Sequence, residues 1–93
     1  MKNTDRWEPA MPGRVYILHF MDRTYTHGTI MRCFFHMMHM LGARDGRKAL
    51  YDCYDSDDVK RFINMIQCYG SLDGQIDQYK WTIEMVREDN YEY

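Results

Sequence analysis

The sequence predicts an α+β fold, a two-layer sandwich in which a mixed sheet of three to four strands carries two helices on one face. Two observations lead to this prediction. Short stretches rich in β-branched and aromatic residues alternate along the chain with stretches whose apolar residues recur at helical spacing. Strands that alternate with helices favour one sheet with the helices packed against it. At 93 residues, the chain suits one domain with a small core.

The first predicted element is a hairpin. The segment 14–21, RVYILHFM, is almost continuously apolar, which is typical of a central strand covered on both faces. Asp22 and Arg23 turn the chain into a short second strand, 24–27. This turn lacks the Asn-Gly or Asp-Gly pair that marks a tight hairpin, so the element order is ββαβαβ with the hairpin and βαβαβ without it.

A helix and a strand follow. Thr29 is placed to cap a helix that runs to Leu41, with Gly42 as its C-terminal stop. The segment 47–54, RKALYDCY, alternates between polar and apolar residues and predicts a strand.

The second half begins with a helix that either Asp55 or Ser56 can cap and that Gly70 ends. After a loop at 71–74, the segment 76–86 alternates most clearly and predicts a strand with one buried and one wet face. The wet face indicates that one side of the sheet is uncovered. The residues expected on the buried face are Tyr79, Trp81, Ile83 and Met85.

The organisation predicted from these elements is an N-terminal arm, 1–13, a single domain, 14–88, and an acidic C-terminal tail, 89–93. The arm carries charges and prolines where a signal peptide needs an apolar segment. The longest apolar run, 30–41, is too short to span a membrane. We therefore expect a cytoplasmic protein that has no membrane partner.

The stretch MRCFFHMMHM, residues 31–40, raises the question of a metal site. Arg32, His36 and His39 share one narrow polar wedge of the predicted helix, whereas Cys33 points into its apolar arc. A zinc site needs about four convergent ligands, and no second cluster supplies them. We predict no metal and no cofactor. The wedge is expected to reach water and, in a sharper interpretation, to form a weakly basic contact strip that responds to pH.

Catalytic chemistry finds little support in the sequence. Cys33, Cys53 and Cys68 lack CxxC spacing, so reduced thiols are expected, and no histidine marks one of them as activated. The segment 24–29 leads into a helix N-terminus that can hold an anion, but the P-loop pattern is missing. We predict that the protein is not an enzyme, with a small cysteine-dependent enzyme as one alternative.

Charge is divided unevenly along the chain. Residues 1–50 carry eight Lys or Arg against four Asp or Glu, whereas residues 51–93 carry four against ten. Such polarity bears on partners and steering rather than on fold. We predict a small interaction protein, in one version an inhibitor, encoded by a virus or mobile element, that docks on a nucleic-acid-binding protein or nucleoprotein complex. Its acidic surface would comprise Tyr51, Asp52, Tyr54, Asp55, Asp57, Asp58, Glu88 and Asp89.

The alternative function uses the basic half of the chain. Here the protein would be a regulator that binds nucleic acid, although the sequence pI near 6.0 and the absence of a known nucleic-acid-binding signature weigh against it. Its contact residues would be Arg32, His36, His39, Arg44, Arg47 and Lys48. A homodimer is compatible with either function, because a last strand at a sheet edge can pair across a two-fold axis.

Overall fold

The computed structural model describes residues 8–46 and 49–88, which form a small α+β domain. Some predictions fall outside this part, namely those for residues 1–7, Arg47, Lys48 and the tail 89–93. The predicted division into arm, domain and tail stays a prediction. The elements, in chain order, are β1 (Arg14–Phe20), β2 (Arg23–His27), α1 (Ile30–Asp45), α2 (Leu50–Cys53), α3 (Ser56–Tyr69), β3 (Ser71–Ile76) and β4 (Tyr79–Arg87).

The four strands form one sheet in the order β2-β1-β4-β3, and every neighbouring pair is antiparallel. The prediction of a mixed sheet was therefore wrong, as was the predicted order ββαβαβ, because three helices stand between two hairpins. β4 lies inside the sheet, so the predicted route to a homodimer through an edge-lying last strand is closed. The edges are β2 and β3.

The predicted strand at 47–54 was wrong, because its described part contains the short helix α2. Leu50 is 3% exposed and anchors this turn in the core. The side chain of Asp52 accepts a hydrogen bond from the backbone N–H of Ala49, 3.4 Å away. Asp is poorly suited to strands and readily bonds to nearby backbone groups, which favours a turn here over an extended ladder.

The predicted strand at 76–86 is a hairpin in the structure. β3 includes the segment 71–74 that the sequence analysis assigned to a loop, and the chain turns at Asp77, whose φ is 53°. Gly74 lies in a strand because Trp81 faces it across the pair: a Cβ at Gly74 would lie 2.1 Å from Cζ2 of Trp81. A glycine that looks like a turn residue thus serves here to admit an aromatic ring.

The start of α1 agrees with the prediction from the sequence, but its end does not. Thr29 caps α1, its side chain accepting from the backbone N–H of Arg32. The predicted stop at Gly42 was wrong, since α1 continues to Asp45 and is followed by Gly46, whose φ is 94°. An interior glycine costs a helix only about 1 kcal/mol relative to alanine, which tertiary packing readily outweighs.

The caps of α3 are those predicted. The carboxylate of Asp55 accepts from the backbone N–H of Asp58 at 2.8 Å. Gly70 adopts the left-handed conformation, with φ of 90°, and its N–H donates to the carbonyl of Ile66. Both ends of α3 therefore follow from local chemistry that the sequence displays openly.

One core joins the helices to a single face of the sheet. In β4, Trp81 and Ile83 are buried, which confirms the predicted inward alternation. Ile17 and His19 of β1 are partly exposed on the opposite face, so the prediction that this strand is covered on both faces was wrong for them. The other buried residues of the cluster are Tyr16, Leu18, Phe20, Ile30, Met31, Cys33, Phe34, Met37, Met38, Leu41, Leu50, Val59, Ile63, Ile66 and Ile76.

The β1–β2 hairpin, predicted without its usual signal, is present. Its two-residue turn falls on Met21 and Asp22 rather than on Asp22 and Arg23, and both residues have positive φ, 53° and 63°. Asp tolerates this conformation better than Met, which has no short polar side chain to bond locally. The antiparallel pairing places this turn and the β3–β4 turn at the same end of the sheet.

Candidate functional site

The charge difference between the two halves of the sequence corresponds to a charge difference between two sides of the sheet. α1 packs against β1 and β2, whereas α3 packs against β3 and β4. The first side carries four arginines, Arg14, Arg23, Arg32 and Arg44. The second side carries a set of aspartates that we call the acidic edge: Asp52, Asp55, Asp57, Asp58, Asp73 and Asp77.

The acidic edge draws on separate parts of the chain. Asp52 and Asp77 line one small depression of about 210 Å³, together with Tyr54 and Gln75. Asp77 is far from Asp52 in sequence, and the β3–β4 hairpin brings the two together.

Several carboxylates of the acidic edge also form local hydrogen bonds or ion pairs. Asp55 caps α3, and Asp58 accepts from the guanidinium of Arg61 at 2.9 Å. Asp73 accepts from the hydroxyl of Thr82 at 2.8 Å. Asp57 is exposed on the first turn of α3. Arg61 offsets the charge of Asp58, and the remaining aspartates keep the edge acidic.

The two tyrosines assigned to the acidic surface differ. The Tyr54 hydroxyl donates to the carbonyl of Gln75 at 2.6 Å and accepts from Nε1 of Trp81 at 3.0 Å. Burial raises the pKa of Tyr54, and both bonds fix its ring inside the fold. Tyr51 is 46% exposed beside Asp52 and is the one of the pair that presents its ring to solvent.

Glu88 does not join the acidic edge. It follows the end of β4, where its backbone N–H donates to the carbonyl of Gly13, at the end of the sheet opposite the Asp77 turn. Asp89, the other acidic residue predicted with it, lies outside the described residues.

The predicted basic contact residues are also separated. Arg32 lies in the first turn of α1 and Arg44 in its last, about 18 Å apart at 1.5 Å per residue. Arg32 and His39 are exposed, as the predicted polar wedge requires. His36 is half-buried against β2, and Arg47 and Lys48 are outside the described residues.

His36 forms a small cluster with two residues of β2. Its Nδ1 lies 2.7 Å from Nε2 of His27, and its ring lies 4.3 Å from that of Tyr25, centroid to centroid. Partial burial, followed by the nearby His36 and Arg32, lowers the pKa of His27. His36 was predicted to lie in a pH-responsive strip. Its contact with His27 was not predicted, because it depends on the register of β2, which the sequence does not reveal.

We expect the histidine pair to make stability depend on pH. A histidine whose folded pKa is lowered stabilises the fold above its unfolded pKa of about 6.5, and this contribution is lost as pH falls through the folded value. Stability measured by urea denaturation should therefore decline as pH falls below about 6.5. His27→Gln should flatten this decline, whereas the exposed His39→Gln should retain it. Equal pH profiles for the two variants would contradict the assignment.

An open groove lies at the end of the sheet where the two hairpin turns meet. We call it the basic groove. Its volume is about 730 Å³, and its charged lining comprises Arg23, Arg44, Lys80 and Asp22, with the aromatic ring of Tyr79. Cζ of Arg44 lies 5.7 Å from the centroid of that ring, a cation–π distance. Of these, Arg44 is one of the predicted basic contact residues.

The N-terminus of α1, considered above as an anion site, is occupied by a carboxylate of the protein. The carboxylate of Glu8 accepts from the backbone N–H groups of Ile30 and Met31, at 2.5 and 2.9 Å. Burial raises the pKa of Glu8, although both hydrogen bonds act in the opposite direction. An external anion would have to displace this carboxylate.

Of the three cysteines, Cys33 and Cys68 are poorly placed for nucleophilic catalysis. Cys33 is fully buried, and burial raises its pKa to about 12, far from the range of a nucleophilic thiolate. The exposed Cys68 contacts the side-chain oxygen of Asn64, which is not a base. Within residues 8–46 and 49–88, no three His, Cys, Asp or Glu side chains are grouped to hold a metal ion.

Of the helices in the described part of the chain, none is long and apolar enough to cross a membrane. Comparison of the chain with protein-family models, with curated proteins and with solved structures finds no match.

Proposed function

We propose that this chain is a cytoplasmic, non-enzymatic interaction protein, and that its acidic edge docks on the basic, nucleic-acid-binding surface of another protein. In this role it acts as a small inhibitor of a nucleic-acid-binding protein or nucleoprotein complex, of the kind that viruses and mobile elements use against host defence. The observation that carries the proposal is the meeting of Asp52 of α2 and Asp77 of the β3–β4 turn at one depression, close in sequence to the aspartates that begin α3.

Charge complementarity is the physical basis of the proposal. A cluster of like charges on one edge steers association with an oppositely charged surface and selects against acidic partners. Tyr51, 46% exposed beside Asp52, adds a rigid aromatic contact of the type enriched at protein interfaces.

The enzymatic alternative is less well supported by the geometry. A cysteine nucleophile needs a low pKa and a base within reach. The high pKa of Cys33 and the amide neighbour of Cys68 offer neither. We therefore place the function in binding rather than in chemistry.

The test is affinity capture from a cell lysate treated with nuclease, comparing the wild-type chain with Asp57→Asn/Asp77→Asn. We expect a specific protein to be retained by the wild type at low salt and lost with the variant. Asn tolerates the positive φ at position 77, so the turn is preserved. Removal of Asp57 should cost α3 only about 0.3–1 kcal/mol.

The matched control is Glu84→Gln/Glu88→Gln, which changes net charge by the same amount outside the acidic edge. It should capture the same protein as the wild type. Equal capture by the edge variant and the wild type, or loss of the partner on nuclease treatment, would count against the proposal.

A further inference from the structure

We infer that the basic groove is a binding site for the phosphate backbone of single-stranded nucleic acid. The observation is the meeting of three cations from separate elements, Arg23 of β2, Arg44 of α1 and Lys80 of β4, around one open groove. No motif in the sequence marks this set, because the three residues are distant in sequence and only the antiparallel sheet and α1 bring them together.

The cations are available to a ligand. Arg23, Arg44 and Lys80 are all exposed, and none of the carboxylates whose side chains the structure describes lies at ion-pair distance from them. Cations that pair with aspartates or glutamates would have to exchange partners to bind phosphate. No described carboxylate imposes such an exchange here, and each phosphate contact releases counterions.

The groove is large enough to hold part of a nucleic-acid strand. Its volume of about 730 Å³ is in the range of sites that take a ligand of nucleotide size, about 300–1,000 Å³. The guanidinium of Arg44 and the ring of Tyr79 offer flat surfaces on which a base can stack.

Among the described residues that line the groove, Asp22 is the one carboxylate. It lies in the β1–β2 turn, next to Arg23, and opposes an anionic ligand. This makes the site testable in both directions, because neutralising Asp22 should strengthen binding while neutralising a cation should weaken it. Asn fits the positive φ of 63° at this position, so the turn is retained.

This site is independent of the acidic edge, although the two adjoin at the β3–β4 turn, where Asp77 belongs to the edge and Gln78 lines the groove. A partner that is a nucleoprotein complex would satisfy both, its protein contacting the acidic edge and its nucleic acid the groove. Loss of either interaction can be measured without the other.

The test is fluorescence anisotropy with a labelled, single-stranded oligonucleotide of about ten nucleotides, within the range of site sizes known for such grooves. We expect salt-dependent binding by the wild type, with a log–log slope of about −2 for three phosphate contacts. Arg23→Gln and Lys80→Gln should each weaken binding and reduce the slope by about 0.7. Asp22→Asn should tighten binding.

The matched control is Lys60→Gln, which removes an exposed cation on α3, outside the groove. It should leave affinity and salt slope unchanged, and thermal unfolding should show that every variant is folded. Three results would overturn the inference: no binding by the wild type at low salt, an equal loss with Lys60→Gln, or equal affinity for a mononucleotide and for the oligonucleotide.

The outcomes separate the two proposals. Failure of the groove variants to change oligonucleotide binding overturns the groove and leaves the acidic edge untouched. Failure of the edge variant to lose its nuclease-resistant protein overturns the proposed function and leaves the groove untouched.

Discussion

Trp81→Ala is expected to lower the free energy of unfolding by about 3–5 kcal/mol, the range for removing a large aromatic side chain from a core. Trp81 is 1% exposed and stands at the centre of an aromatic cluster. Its ring centroid lies 5.3 Å from that of Phe34, 5.8 Å from that of Phe62 and 6.5 Å from that of Tyr54. Such pairs add stability beyond the area that they bury.

The hydrogen bond from Nε1 of Trp81 to the Tyr54 hydroxyl adds to this effect. That hydroxyl also bonds to the carbonyl of Gln75, so the cluster connects β4 to β3 and to the segment between α2 and α3. Urea denaturation, followed by far-ultraviolet circular dichroism, measures the loss.

Two further variants make the result interpretable if Trp81→Ala does not fold. Trp81→Phe keeps an aromatic ring but removes the N–H donor, and should show an intermediate loss. Tyr69→Ala removes an aromatic residue that is 78% exposed and should change stability by less than about 0.5 kcal/mol. A loss for Trp81→Phe as small as that for Tyr69→Ala would contradict the central role assigned to this ring.

Gly74→Ala is expected to destabilise the protein by about 1–3 kcal/mol, the usual cost of overpacking a core. The added Cβ would lie 2.1 Å from Cζ2 and 2.3 Å from Cε2 of Trp81, atoms of a buried ring that is fixed on several sides. Relief requires a shift of β3 away from β4 or a new rotamer of Trp81, and either disturbs the aromatic cluster.

A double-mutant cycle identifies the cause. Phenylalanine lacks the outer ring atoms of tryptophan that meet the added methyl group, so Gly74→Ala should cost less in a Trp81→Phe background, with a coupling energy of at least about 1 kcal/mol. The control is Gly28→Ala, where a Cβ meets nothing within 4 Å, and it should be nearly neutral. Additive effects of the two changes would show that the glycine is needed for another reason.

The sequence predicted those parts of the fold that depend on local chemistry. The caps at Thr29, Asp55 and Gly70, the first hairpin and the inward alternation of β4 are present as expected. Each depends on a few neighbouring residues whose preferences are strong. The α+β class follows from the same local signals.

The errors fall where a residue acts through a distant partner. Gly74 was assigned to a loop because its partner across the strand pair, Trp81, is not evident from the sequence. The segment 47–54 was assigned to a strand because its alternation does not reveal that Leu50 is buried in the core within a helical turn. The element order and strand directions depend on these two segments, and both were therefore wrong.

The candidate sites show the same division. The acidic residues at 52–58 are close in sequence, and the sequence analysis found them, whereas Asp77 joins them through the hairpin. The basic groove was missed except for Arg44, because Arg23 and Lys80 come from strands on either side of β1. A surface made by the fold cannot be found from neighbours in sequence alone.

The inner position of β4 has a consequence for how the chain folds during its synthesis. β1 and β4 form the centre of the sheet, and the contact between His19 and Glu84 joins residues 65 positions apart. Until β4 has left the ribosome, one edge of β1 lacks its partner strand, and Phe34 of α1 lacks its contact with Trp81. Folding is therefore delayed until synthesis reaches β4, and the unfinished chain is exposed to aggregation and to chaperones in the meantime.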